Sequence, residues 1–173
     1  GVAPALARLA TGARLVANVA NNHAMDAGAS GFRSTVRHLE AAGILVTGAD
    51  TLAAMVPQPT GDTLAFLGFA TAQAGPDPRN LAAVERHVRR AAGPGRRVIV
   101  TMHMGAEGRG AQRTRDRRER FLGEDRGNAV AFARTAVDAG AEAVIGHGPH
   151  VLRAVEWIGD AFVAYSLGNL LTY

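Results

Sequence analysis

Among its 173 residues the chain has neither cysteine nor lysine. The first absence excludes disulfides and thiolate metal sites, and with them any reading of the redox compartment. The second means that all 19 basic side chains are arginine. Aromatic residues are scarce, at 5%. No apolar run reaches the roughly 18–20 residues that would span a bilayer, so no transmembrane segment is expected. No secretory signal opens the chain, which starts at Gly1 rather than Met and reads as a processed or cut piece.

What is present is ordinary for a globular domain, with 47% hydrophobic and 20% charged residues. The length suits one domain, 1–173, with a real core. The net charge of +4 raises the possibility of a nucleic-acid partner. Few aromatics, and arginines gathered mainly in "RGAQRTRDRRERFLGEDR" (109–126), argue against it. That stretch also carries Asp116, Glu119, Glu124 and Asp125, so a solvated, self-paired loop or helix is expected there.

Short β-like runs alternate with amphipathic helical patterns. "PALARLATG" reads as a helix end stopped by Gly12, and 14–20 as a strand. In "SGFRSTVRHLEAAG", Phe32, Val36 and Leu39 share a helical face, with Ser30 expected as N-cap and Gly43 as stop. Strands are expected at 44–49, 63–70, 96–103 and 141–146. Helices are expected through Leu81, Val84 and Val88, and through Val130, Ala133 and Val137. Segments 56–62 and 73–80 read as loops. Gly159-Asp160 between two apolar runs suits a two-residue hairpin turn with glycine first. The fold class is α/β, mostly parallel, with an antiparallel hairpin near the C-terminus.

The six histidines divide by position. His38 and His87 fall within helical patterns beside arginines and read as surface residues. His23, His103, His147 and His150 all follow or end strands, where open α/β sheets bind ligands. Several imidazoles together with asparagine at one rim suit a divalent cation such as Mn²⁺ or Fe²⁺. In "GHGPH", Gly148 and Pro149 constrain the loop so that both flanking rings could face one point. No G-x-S-x-G, Walker A or G-x-G-x-x-G motif offers a competing chemistry. The bland alternative is that Asn21 and Asn22 cap the next turn, with Asp26 serving a turn or helix start.

Three motifs, "VANNHAMDAG", "VTMHMGAEG" and "VIGHGPHVLRAVEW" running into "VAYSLGN", resemble the CapA family of poly-γ-glutamate capsule synthesis proteins. That family lies within the calcineurin-like metallophosphoesterase superfamily, and the likeness spans nearly the whole chain. It implies a layered sandwich of helices on sheet and a centre of two divalent ions (Mn, Fe, Zn or Mg). It also implies metal ligands Asn22, His103, His147 and His150, and His23 as the nearby non-ligand histidine that protonates a leaving group. Glu107 is the acid following the central histidine, and Asn169 matches a recurrent position. Family members often read H-W-G and G-H-H-P-H, where this chain has Met104 and Gly148. The superfamily's early aspartates have no counterpart, since the first 18 residues contain no Asp or Glu. The expectation is therefore a piece lacking N-terminal strands and, ending at Tyr173, further C-terminal sheet.

The leading functional reading is a metal-dependent hydrolase of phosphoester type, acting on a small molecule or an anionic polymer in a bacterial setting. The resemblance further implies a place in a cell-envelope complex, membrane-associated or extracytoplasmic. One alternative keeps the site for polymer binding or assembly without turnover, with the 109–126 arginines meeting carboxylates. Another is proton transfer at carbon, such as peptide epimerisation. Fold alone does not choose among them.

Overall fold

The computed structural model describes residues 2–10 and 12–169. Helix α1 (Val2–Leu9) leads into strand β1 (Val16–Asn18), helix α2 (Gly28–Ala41) and strand β2 (Leu45–Thr47). Thr11, in the first expected helix, lies outside the described residues. β1 and β2 pair in parallel as a small separate sheet, Asn18 opposite Thr47. Phe32, Val36 and Leu39 do share a face, and they pack with Ala3, Val19 and Ile44 into a minor core. Ser30 is not the N-cap: α2 starts two residues earlier, behind Ala27, with no side-chain cap. Gly43 ends the helix with φ +76°, a left-handed conformation that glycine takes without strain.

The remaining strands are β3 (Ala54–Pro57), β4 (Thr63–Ala70), β5 (Arg96–His103), β6 (Glu119–Phe121), β7 (Glu124–Gly127), β8 (Ala141–His147), β9 (Val155–Ile158) and β10 (Ala161–Ala164). The main sheet runs β3-β4-β5-β8-β10-β9. Its four central strands are parallel, and β3 and β9 lie antiparallel at the two edges. β3 corrects the loop expected at 56–62, because Val56 and Pro57 pair with Leu64 and Thr63. Proline is tolerated there because an edge strand has a side that owes no hydrogen bond. The Gly159-Asp160 hairpin forms as expected, with φ +59° at the glycine.

Helices α3 (Leu81–Ala91) and α4 (Ala129–Asp138) provide the crossovers and pack on one face of the sheet. Asn80 caps α3 by accepting from the Ala83 amide, and Asn128 caps α4 by accepting from Val130 and Ala131. The major core joins Leu67 and Phe69 of β4, Val98, Val100 and Met102 of β5, and Val144 of β8 to Val84, Val88 and Phe132. Alternation along a strand then sends His103 to the opposite face from Met102. The architecture is a layered α/β fold of the calcineurin-like kind, its sheet mixed but mostly parallel and flanked by helices.

Candidate metal centre

The C-terminal ends of β4, β5 and β8 come into line: Ala70 is opposite His103, and His103 is opposite His147. Register partners in a sheet project to the same side. The two imidazoles therefore meet, ring centroids 5.0 Å apart and nearly perpendicular, with Nδ1 to Nδ1 at 3.1 Å. His103 is buried, and its Nε2 is out of contact with water and without a hydrogen-bond partner. Gly148, at φ +106°, lies flat against this ring: a Cβ there would sit 3.0 Å from His103 Nε2. Met104 turns the other way, into the major core.

Both rings are neutral near pH 7. Burial, chiefly, and then the neighbouring His147, Arg126, His150 and His23, push His103 from 6.5 down to about 3. Burial likewise lowers His147. Neutral imidazole is the form that a metal ion binds.

Asn18, the last residue of β1, closes the other side of the pair. Its Nδ2 lies 3.0 Å from His147 Nε2, and its Oδ1 accepts from the Ala20 amide at 3.0 Å. The sequence gives little signal for it, since an asparagine ending a short strand also reads as a cap. Gly48 and Gly68 make room for it, because a Cβ at either would run into the Asn18 amide.

The other expected residues surround this pair. His23 is exposed at the rim, its Nδ1 2.8 Å from Asp26 Oδ2. Asn21 accepts from the His23 amide, the turn-capping role that its residue type suggests. Asn22 lines a neighbouring polar cleft of about 550 Å³ with Asn21, Asp26, Thr71, Gln73 and Arg79. His150, at φ +57°, turns outward, its Nδ1 2.8 Å from Asn169 Oδ1 and its Nε2 3.8 Å from Glu107. The two rings of "GHGPH" thus have different partners. Of the remaining histidines, His38 is exposed as expected, whereas His87 is half-buried with its ring 6.4 Å from Phe69.

The arginine-rich stretch is self-paired in part, as expected, through Arg118–Asp125 and Arg126–Glu124. Its second half, however, is the β6–β7 hairpin, and it also pairs with the body of the protein. Glu119 binds the buried Arg153 at 2.9 Å and accepts from the Ala106 amide at 2.7 Å. Arg126, also buried, pairs with Glu107. Asp116 bonds Arg134 and Asn128. Arg109, Arg113, Arg115 and Arg117 are exposed and make no ion pair among the described residues.

The donor set suits a metal in its core and not beyond it. Two ligands on one tetrahedral ion at about 2.0–2.1 Å lie roughly 3.4 Å apart, close to the 3.1 Å between the two Nδ1 atoms. Among the described residues, however, no group of three or more His, Asp or Glu converges to hold an ion.

Comparison with known proteins gives this rim a context. The profile described as bacterial capsule synthesis protein PGA_cap matches residues 2–173. The chain is 29% identical over 175 residues to the capsule biosynthesis protein CapA of Bacillus anthracis, covering 90% of this chain and 39% of that protein. To the PGA biosynthesis protein CapA of Bacillus subtilis (strain 168) it is 30% identical over 175 residues, covering 90% and 42%. The uncharacterized protein y4sH of Sinorhizobium fredii matches at 36% over 91 residues, 53% of this chain and 17% of that protein. The chain thus spans about two fifths of the length of the two CapA proteins. With a profile match along nearly its whole length and the motif histidines gathered at one rim of a layered α/β fold, the chain belongs to the bacterial capsule synthesis (PGA_cap) family.

Proposed function

We propose that this chain supplies the imidazole side of a metal-dependent hydrolytic centre, of phosphoester type, that serves synthesis of a capsule polymer. The observation that carries this reading is the pair of neutral, facing imidazoles of His103 and His147 at adjacent strand ends. These two rings would hold a divalent ion, which when bound supplies Lewis-acid polarisation of an ester oxygen. His23 is the proton donor toward the leaving oxygen. Asp26 accepts from its Nδ1–H, so that the imidazolium form presents Nε2–H to the rim as the proton to be given. Glu107 and Asn169 position His150 from two sides. The names of the two CapA relatives support the link to capsule synthesis.

The second reading, polymer binding without turnover, draws on the exposed Arg109, Arg113, Arg115 and Arg117, which have no acidic partner among the described residues, a surface suited to a polycarboxylate. One experiment separates the two. The protein is incubated with Mn²⁺, Zn²⁺ or Fe²⁺, desalted and analysed for metal, beside a His103→Ala/His147→Ala variant. Parallel samples are passed over immobilised poly-γ-glutamate. Metal retained by the wild type and lost from the variant is the expected result. Equal metal in both would sink the hydrolytic reading, and polymer retention without metal would leave the binding role in its place.

A further inference from the structure

The hydrogen bonds around Asn18 determine where the protons of the histidine pair sit. A backbone N–H can only donate, so the contact from Ala20 identifies the accepting atom of Asn18 as its carbonyl oxygen. The atom facing His147 is then the amide nitrogen, also a donor. His147 Nε2 must accept, and a neutral imidazole that accepts at Nε2 carries its proton on Nδ1. That proton points at His103 Nδ1, 3.1 Å away, which must accept in turn. The proton of His103 is left on Nε2, the one ring nitrogen of the pair that is buried without a partner.

Close packing holds the half-buried amide in this orientation. Asn18 sits where β1 meets Gly48 and Gly68, and a side chain at either glycine would displace it. Flipping the amide would set its nitrogen against the Ala20 N–H and its oxygen against the His147 lone pair, two repulsive contacts in place of two hydrogen bonds.

We propose that Asn18 is the positioning residue that sets the tautomers of His147 and His103, so that in the metal-free protein neither ring has a free lone pair. In its consequence for metals the inference rests on the hydrolytic reading above. For a cation to take the facing Nδ1 atoms, the proton between them must move to His147 Nε2, which turns that nitrogen into a donor and requires the Asn18 amide to flip or withdraw. An acceptor at position 18 removes that conflict. In Asn18→Asp the carboxylate accepts from His147 Nε2–H, His147 Nδ1 accepts from His103, and the buried His103 Nε2 becomes a lone pair. A carboxylate behind a ligating histidine is also the partner that strengthens such ligands.

The test is ring-¹⁵N NMR of histidine in the metal-free protein, followed by Zn²⁺ titration. The wild type is expected to show His147 protonated at Nδ1 and His103 at Nε2. Asn18→Ala is expected to show mixed tautomers at both, and Asn18→Asp the reversed pattern with Zn²⁺ binding tighter by about tenfold or more. His147 protonated at Nε2 in the wild type would overturn the proposal, as would tautomers unchanged in Asn18→Ala. The stated tautomers with no Zn²⁺ binding by either the wild type or Asn18→Asp would support the role of Asn18 and remove the metal reading. The wild-type spectrum decides the point even where a variant fails to fold.

Discussion

An imidazole kept neutral by burial makes a fold sensitive to acid, and His103 is such a group. Its pKa falls from 6.5 in the unfolded chain to about 3 in the folded one, mainly through burial. Between these values the unfolded chain binds a proton that the folded chain refuses, so acid favours unfolding. Stability from this group is complete above about pH 6.5 and drains away as the pH drops toward 3. At pH 4.5 the loss from His103 alone is roughly 2–3 kcal/mol, and the lowered His147 acts in the same direction. Urea unfolding of the metal-free protein at pH 7.5 and 4.5 measures it. The expected outcome is a clearly lower midpoint at pH 4.5, with the difference reduced in His103→Leu. An equal pH effect in that variant would mean that other groups govern the acid response. His103 and His147 were legible in the sequence because each closes an apolar, strand-like run. Asn18 was not, because its role depends on two glycines from other elements making room for its amide. No local pattern records that.

The elements that frame the site are held by charge as much as by apolar packing. The Arg153–Glu119 pair joins the β6–β7 hairpin to the segment after β8, with side-chain exposures of 1% and 10%, and both side chains bond the Ala106 backbone in the segment after β5. Removing one member of so buried a pair strands the other charge, at a cost of roughly 3–5 kcal/mol. The Arg97–Glu142 pair across β5 and β8 has a similar distance, 2.8 Å, but exposures of 59% and 47%. Exposed pairs of this kind contribute about 0–1 kcal/mol. We therefore expect Glu119→Ala to lower unfolding stability severalfold more than Glu142→Ala, with new proteolytic cleavage within 106–127. Equal losses in denaturant titration would show that the hairpin is not anchored through Glu119. Most elements were readable from periodicity, and 63–70 and 96–103 match β4 and β5 residue for residue. The hairpin was not: its strands have three and four residues, too short for alternation to show among so many charges. Its turn, with Leu122 at φ +47° before Gly123, lacks the Asn-Gly or Asp-Gly pair that marks such turns. Likewise β3 was masked by two prolines in a short span, which suit an edge strand as well as a loop.

Across the whole molecule the site is shared between two bodies of unequal core. His103 and His147 end the central strands β5 and β8, whose inner face belongs to the major core with Phe69, Phe132 and Met102 fully buried. Asn18 and His23 belong to the β1–β2 unit, whose apolar cluster has four buried members among the described residues, Ala3, Val19, Leu39 and Ile44, and whose helix α2 buries a single residue, Leu39. Local opening follows the amount of apolar burial that must be given up, so the smaller unit opens at lower free energy than the whole. The junction between them includes the Thr47 hydroxyl donating to the Phe66 carbonyl at 2.8 Å, the Asn18–His147 contact, and the approach of Gly48 to Gly68 and Gly75. Native-state hydrogen exchange should therefore show β1, β2 and α2 amides exchanging well before those of β4, β5 and β8. Asn18→Ala should widen that gap by loosening the junction while leaving the β5 amides unchanged. Uniform protection along the chain would mean that the two cores unfold as one and that the site is as rigid on the asparagine side as on the histidine side. The expected asymmetry fits the site's chemistry. Two imidazoles fixed by a stiff sheet set the geometry, and the less stable side carries the residue that must move when the pair gives up its shared proton.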